Sequence, residues 1–178
     1  MTFHNPTLAR CVTTVDMMCA RDRRAAAQQQ LLSLHKLPLV SFTLNIPGPV
    51  KRTALAELAF NSGLRILDEA LGTPVDKRIV RAHTGCEALL VYRHTASRLK
   101  EVCLQIEGNR PVGRLYDLNV LEADGTKLSR TTPRTCLLCR GSGLPRIPGD
   151  RVCSFSYIAQ RNRFVLSFCP PAFLSTAQ

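Results

Sequence analysis

Asp117 and Asn119 stand two residues apart in the stretch Pro111-Val112-Gly113-Arg114-Leu115-Tyr116-Asp117-Leu118-Asn119-Val120-Leu121. On a β-strand alternate side chains share a face, so residues 115, 117 and 119 project together and 116, 118 and 120 the other way. A pair of carboxylates at that spacing is a natural seat for Mg²⁺. This hard cation takes oxygen ligands and completes its shell with substrate phosphates in phosphoryl and nucleotidyl transfer. Gly113 would let a phosphate approach the main chain, and Arg114 would meet it with a fork of donors. The same stretch also reads as a plain hairpin strand with a surface aspartate and an asparagine near a turn, and both readings stand at this point.

Two further stretches supply positive charge. Val40-Ser41-Phe42-Thr43-Leu44-Asn45-Ile46 runs into Pro47-Gly48-Pro49-Val50-Lys51, a strand ending in a rigid turn that presents Lys51 to a phosphate or simply to water. Arg21, Arg23 and Arg24 precede Gln28, and Arg24 and Gln28 are four apart, so they share a helix face that meets an anion or is merely solvated. Cys136 and Cys139 have the spacing of half a zinc site, but no second such pair follows; Cys153 and Cys169 stand alone, and packed or idle thiols are the competing reading. His83 and His94 fit no ligand pattern and read as structural, and serine-nucleophile, Rossmann and Walker patterns are absent.

These residues need elements to position them. Residues 16–35 read as a helix with Asp16 at its N-cap, polar in the middle and rich in good helix formers. Residues 39–46 alternate apolar and polar, the period of a half-buried strand. Residues 53–71 form a second helix with an apolar face of Leu55, Leu58, Ala59, Leu64 and Leu67, interrupted by Gly63 and followed by Gly72. Residues 78–83 and 87–93 read as strands about Thr84-Gly85, 95–107 as a third helix, and 114–122 as a strand. Ala123-Asp124-Gly125 then turns the chain into a last strand, 126–129. The expectation is one α+β domain with about five strands and three helices, ending near residue 139. From about residue 140 the composition changes: there is no Lys or Glu, Asp150 is the sole acid, and five Arg and four of the seven Phe fall there. Residues 140–178 are expected to pack poorly as a divergent C-terminal segment, because Pro145, Pro148, Pro170 and Pro171 interrupt any regular element.

At 178 residues the chain can bury one sizeable core, and no apolar run approaches the ~18 residues of a membrane span. The first ten residues lack the apolar stretch of a signal peptide, which predicts a cytoplasmic protein whose eight cysteines are mostly reduced. The formal charge is +11, which attracts polyanions: nucleic acid, a phosphate-rich cofactor or an acidic protein. Nucleic acid is disfavoured, since there is no Trp, aromatics are 6%, and no nucleic-acid-binding motif occurs.

Taken together, the stretches above resemble one family. Arg21-Asp22 with Arg24 and Gln28, Pro38 to Thr43 with Pro47-Gly48-Pro49-Val50-Lys51, Phe60-Asn61, Gly113 to Leu118, Leu128-Ser129-Arg130 and Arg134 to Cys139 follow the order found in apo-citrate lyase phosphoribosyl-dephospho-CoA transferases, the citrate lyase holo-acyl-carrier-protein synthases. The resemblance covers residues 15–139. It implies a nucleotidyltransferase-like mixed sheet with flanking helices and a substrate, triphosphoribosyl-dephospho-CoA. It also implies a serine of the acyl carrier (gamma) subunit of citrate lyase as acceptor, with release of pyrophosphate and no membrane involved. Distant likeness to nucleotidyltransferases that hold Mg²⁺ on an Asp-x-Asp pair places Asp117 and position 119 as catalytic and metal-binding. Gly113, Arg114, Lys51, Arg24 and Arg21 are then the residues that bind the substrate. The second acid of that pair is here Asn119, an amide that can ligate Mg²⁺ but brings no charge. Two alternatives stand beside this: a non-catalytic copy that binds the carrier or the cofactor, and the related transferase for the malonate decarboxylase carrier.

Overall fold

The computed structural model describes residues 10–46, 48–108 and 111–130. Cys136, Cys139 and the segment 140–178 lie outside the described residues. Helix α1 (Thr14–His35) leads into strand β1 (Leu39–Leu44); α2 (Ala54–Leu71) leads into the hairpin β2 (Asp76–Ala82) and β3 (Gly85–Val91). Helix α3 (Ala96–Gly108), a 3₁₀ turn (Pro111–Leu115) and β4 (Tyr116–Leu121) follow. This is the expected α+β architecture, with three helices and a four-stranded antiparallel sheet in the order β2-β3-β1-β4.

The period of two in the strands assigns the two sheet faces. Val40 and Phe42 of β1, Ala88 and Leu90 of β3, and Tyr116, Leu118 and Val120 of β4 point to one side, where α2 and α3 bury them with Phe60, Leu67, Leu99 and Val102. Phe42 stacks on Phe60 at 4.9 Å and meets Tyr116 edge-on at 5.3 Å, which anchors α2 to β1 and to the edge strand β4. Gly63 belongs to this contact: a Cβ there would lie 2.5 Å from Phe42 Cζ, so the glycine that interrupts the helical pattern is what lets the ring reach the helix. The opposite face carries Leu39, Leu89 and Val91, which pack beneath Leu31 and Leu32 of α1.

Three sequence expectations are corrected. Asp16 is not the N-cap of α1. Thr13 is, and Asp16 sits three residues on, its amide bonded to Thr13 Oγ1 at 3.1 Å while its carboxylate accepts the Thr13 amide at 2.9 Å. Arg114 does not begin the strand; it lies in the 3₁₀ turn, because Gly113 packs its backbone against the Ile106 carbonyl oxygen. The last strand, 126–129, is reduced to one bridge between Leu121 and Lys127, though Leu128 N still bonds Val120 O at 3.0 Å and the hairpin is real.

Candidate active site

The face of the sheet under α1 is apolar only at its C-terminal half. Toward the other end of α1 its floor turns polar. Thr43 of β1 pairs with Glu87 on β3 and with Asp117 on β4, and Ser41 pairs with Asn119. Two carboxylates thus flank one threonine on a single face, with a serine and an amide one pleat along. Thr43 Oγ1 donates a long bond of 3.4 Å to Asp117 Oδ2.

Helix α1 roofs this floor through one stripe. Past its first turn, Ala20, Arg24, Ala27, Gln28, Leu31, Leu32 and His35 recur at helical spacing and are the residues it turns inward, Ala20, Leu31 and Leu32 fully and the rest partly. The stripe is apolar where it lies on Leu39, Leu89 and Val91 and polar where it lies on the carboxylates. Arg24 Nη1 reaches Glu87 Oε1 at 2.9 Å, with Glu87 only 13% exposed. The helix is tied at both ends. Thr13 and Asp16 close its first turn, with His83 Nε2 3.4 Å from Asp16, and His35 Nε2 lies 2.9 Å from Asp76 Oδ2. The bonds from Thr13 hold the Asp16 carboxyl down at about 2. The bond from His35 likewise lowers that of Asp76.

Between roof and floor lies a cavity of about 210 Å³ lined by Arg21, Arg24, Gln28, Ser41, Thr43, Asp117, Asn119, Leu121 and Lys127. Asp117, Asn119, Arg21 and Arg24, singled out from sequence, converge here. Lys51, Gly113 and Arg114 do not line it. Lys51 Nζ bonds the Ile46 carbonyl at 2.6 Å, tying the loop after β1 to itself. Gly113 is buried against the end of α3, where a Cβ would meet the Ile106 oxygen at 2.3 Å, so packing accounts for the glycine without a ligand. Asn61 accepts a 2.8 Å bond from Arg81, whose guanidinium lies 5.4 Å from the Phe60 ring, so that pair belongs to the core side of the sheet.

Sequence reasoning missed Glu87 and Lys127. Lys127 was within reach: the turn Ala123-Asp124-Gly125 sets a hairpin register that brings Lys127 opposite Leu121, beside Asn119. Glu87 had no such signal, because its place beside Thr43 depends on which strands become neighbours.

A model of the apo-citrate lyase phosphoribosyl-dephospho-CoA transferase family matches residues 12–144. A protein of Escherichia coli O7:K1 (strain IAI39 / ExPEC) with that name is 38% identical over 140 residues, 74% of this chain and 76% of the relative. A probable apo-citrate lyase phosphoribosyl-dephospho-CoA transferase of Vibrio cholerae serotype O1 (strain M66-2) is 36% identical over 145 residues, 76% of this chain and 80% of the relative. The chain belongs to this family. As an apo-citrate lyase phosphoribosyl-dephospho-CoA transferase family member it is an enzyme, a transferase, and its cavity is to be read for that chemistry. No helix among the described residues is long and apolar enough to cross a membrane.

The donors on the cavity floor are all oxygen: the Asp117 carboxylate, the Asn119 amide, and the hydroxyls of Ser41 and Thr43. That set fits a hard divalent cation. Among the described residues no three His, Cys, Asp or Glu converge, so a cation at this place would rely on few protein charges and on phosphate oxygens.

Proposed function

We propose that the chain transfers the phosphoribosyl-dephospho-CoA group from triphosphoribosyl-dephospho-CoA to a serine of the acyl carrier (gamma) subunit of citrate lyase, in the cytoplasm. The observation that carries this reading is the cavity between α1 and the sheet, where Arg21, Arg24 and Lys127 face Asp117 and Asn119. Three cations around one small space suit a triphosphate. In the reaction the serine hydroxyl oxygen attacks the innermost phosphorus and releases its proton to solvent, the bond from that phosphorus to the outer two phosphates breaks, and pyrophosphate departs. A phosphodiester then joins the prosthetic group to the carrier. Arg21, Arg24 and Lys127 hold the phosphates in line and stabilise the charge that collects on the leaving pyrophosphate. Asp117, with Asn119 beside it, would hold Mg²⁺, which supplies charge neutralisation at the phosphates when bound. Arg24 is shared: it is paired with Glu87 in the free protein and must divide its donors when a phosphate enters.

A second reading has one observation in its favour. Asn119 lacks the charge of a carboxylate, which suits a copy that binds the carrier or the cofactor without transferring anything. Mass spectrometry of apo-carrier incubated with this protein, triphosphoribosyl-dephospho-CoA and Mg²⁺ decides between the two. The transferase reading expects the carrier to gain the mass of the prosthetic group in a protein-dependent manner. An unmodified carrier that nonetheless co-elutes with the protein supports the binding module. Modification of the malonate decarboxylase carrier in place of the citrate lyase one assigns the related transferase.

A further inference from the structure

A second and larger cavity, about 550 Å³, opens along α1 beyond the first. Its walls are the flank of α1 that faces the hairpin, at Gln28, Gln29, Leu32 and Ser33, and the hairpin after β4, at Leu121 and Gly125. Gly125 has φ 89, and a Cβ there would come within 3.9 Å of Leu32 Cδ1, so the hairpin tip closes over the helix to form one side. The two cavities share Gln28 and Leu121 in their linings, so they adjoin along α1.

The two cavities differ in chemistry. Three cations line the first, against the single acid Asp117. In the second, one cation, Lys36, is balanced by one acid, Asp124, and the Asp124 carboxylate already accepts the Thr126 amide at 2.8 Å. The remaining surface offers two primary amides, a hydroxyl and leucine side chains. Such a lining suits a neutral, flat, hydrogen-bonding group more than a phosphate. A glutamine amide matches the adenine edge, donating to one nitrogen and accepting from the exocyclic amine. The size lies in the range of about 300–1,000 Å³ typical of small-molecule sites.

We propose that this second cavity is the adenosine subsite, which takes the nucleoside of the dephospho-CoA arm while the triphosphate occupies the basic cavity. The inference rests on the proposed transferase reading, because that reading supplies a substrate with a triphosphate and an adenosine separated by one ribose. Two adjoining cavities with Gln28 in both linings offer such a substrate neighbouring places for its two ends. The subsite also sets specificity: inorganic triphosphate or a bare triphosphoribosyl group fills only the first cavity.

The test uses two probes on the full chain: dephospho-CoA, which carries the adenosine but no triphosphate, and inorganic tripolyphosphate. Ser33→Trp places an indole in the second cavity at an exposed helix position far from the first, and Gln29→Ala removes an amide with little disturbance of the helix. Calorimetric titration is expected to show dephospho-CoA binding weakened about tenfold or more by Ser33→Trp and several-fold by Gln29→Ala, with tripolyphosphate affinity held within about twofold. Dephospho-CoA binding that is unchanged in both variants, or absent in a wild type that binds tripolyphosphate, overturns the subsite and leaves the functional reading standing. A wild type that binds neither probe overturns both.

Discussion

An amide and a carboxylate are nearly the same shape, yet they hold a divalent cation with unequal strength. The amide offers one neutral oxygen and the carboxylate a full charge. Asn119 therefore leaves Asp117 as the charged oxygen donor on its strand, with Glu87 one strand pair away and engaged by Arg24. Asn119→Asp is expected to lower the Mg²⁺ concentration that supports half-maximal transfer by about tenfold and to raise the rate at limiting Mg²⁺. The Mg²⁺ dependence of carrier modification, followed by mass, is the measurement. Superimposable curves for the two proteins would show that position 119 is not a ligand. Asp117→Asn makes the complementary prediction, a loss of about two orders of magnitude or more in rate at any Mg²⁺ concentration, with the folded state intact. A variant that keeps wild-type rates removes Asp117 from the metal site.

Helix α1 brings Arg21, Arg24 and Gln28 to the site, and its first and last turns rest on carboxylates whose acidity is strengthened by folding. Asp16 is held down to about 2 by the bonds from Thr13, and Asp76 is lowered by the bond from His35. A carboxyl lowered in the folded state stabilises it above the unfolded value near 4. That contribution is lost as pH falls through the folded value. Between about pH 4 and about pH 2, α1 is thus expected to loosen from the sheet ahead of α2 and α3, seen as faster amide exchange at its ends than in β1. Asp16→Asn should flatten this acid response at the first turn; equal exchange in wild type and variant across that range would contradict it. A second prediction belongs to α2. Gly63→Ala improves helix propensity by about 1 kcal/mol, but the new Cβ meets the fully buried Phe42 ring at 2.5 Å, and overpacking of that kind costs about 1–3 kcal/mol. The net expectation is a lower melting temperature, and a stabilised variant would show that the aromatic cluster adapts. At this scale the sequence was largely legible. Strand β1 and helix α2 follow from apolar periodicity, α1 from its helix-forming residues and the other strands from short runs about turn residues, and the polar belt of α1 stood out because Arg21 and Arg24 interrupt an otherwise ordinary helix. What could not be read was lateral order. Glu87 and Asp117 become neighbours of Thr43 only once β1 is placed between β3 and β4, and no local pattern states that order. Lys51 and Gly113 attracted attention for chemistry, while the structure gives each a structural contact, because a lysine after a rigid turn and a glycine before a strand serve a fold as readily as a ligand.

The whole molecule carries a formal charge of +11, and a field of that sign draws anionic reactants from solution before any contact is made. Capture and chemistry should respond to salt differently. Capture depends on potential that extends beyond the surface, and raising ionic strength from about 0.1 M to about 1 M shortens its reach from roughly 10 Å to roughly 3 Å. A phosphate held at close range on the cavity floor, beside the half-buried Arg24, is screened much less by salt. The expected outcome is that kcat/KM for the triphosphate substrate falls by about tenfold over that range while kcat changes by less than about twofold. Steady-state rates at fixed free Mg²⁺, with ionic strength set by an inert monovalent salt, provide the measurement. Lys127→Ala tests where the salt dependence originates. Lys127 is exposed on the hairpin at the cavity rim, while Arg24 is half-buried and bonded to Glu87. Lysine at the rim should therefore contribute to steering, and its removal should lower kcat/KM at low salt and flatten the slope. A kcat/KM that does not vary with salt in the wild type would mean that the net charge serves something other than substrate capture. A slope that is unchanged in Lys127→Ala would locate the steering charge away from the cavity rim.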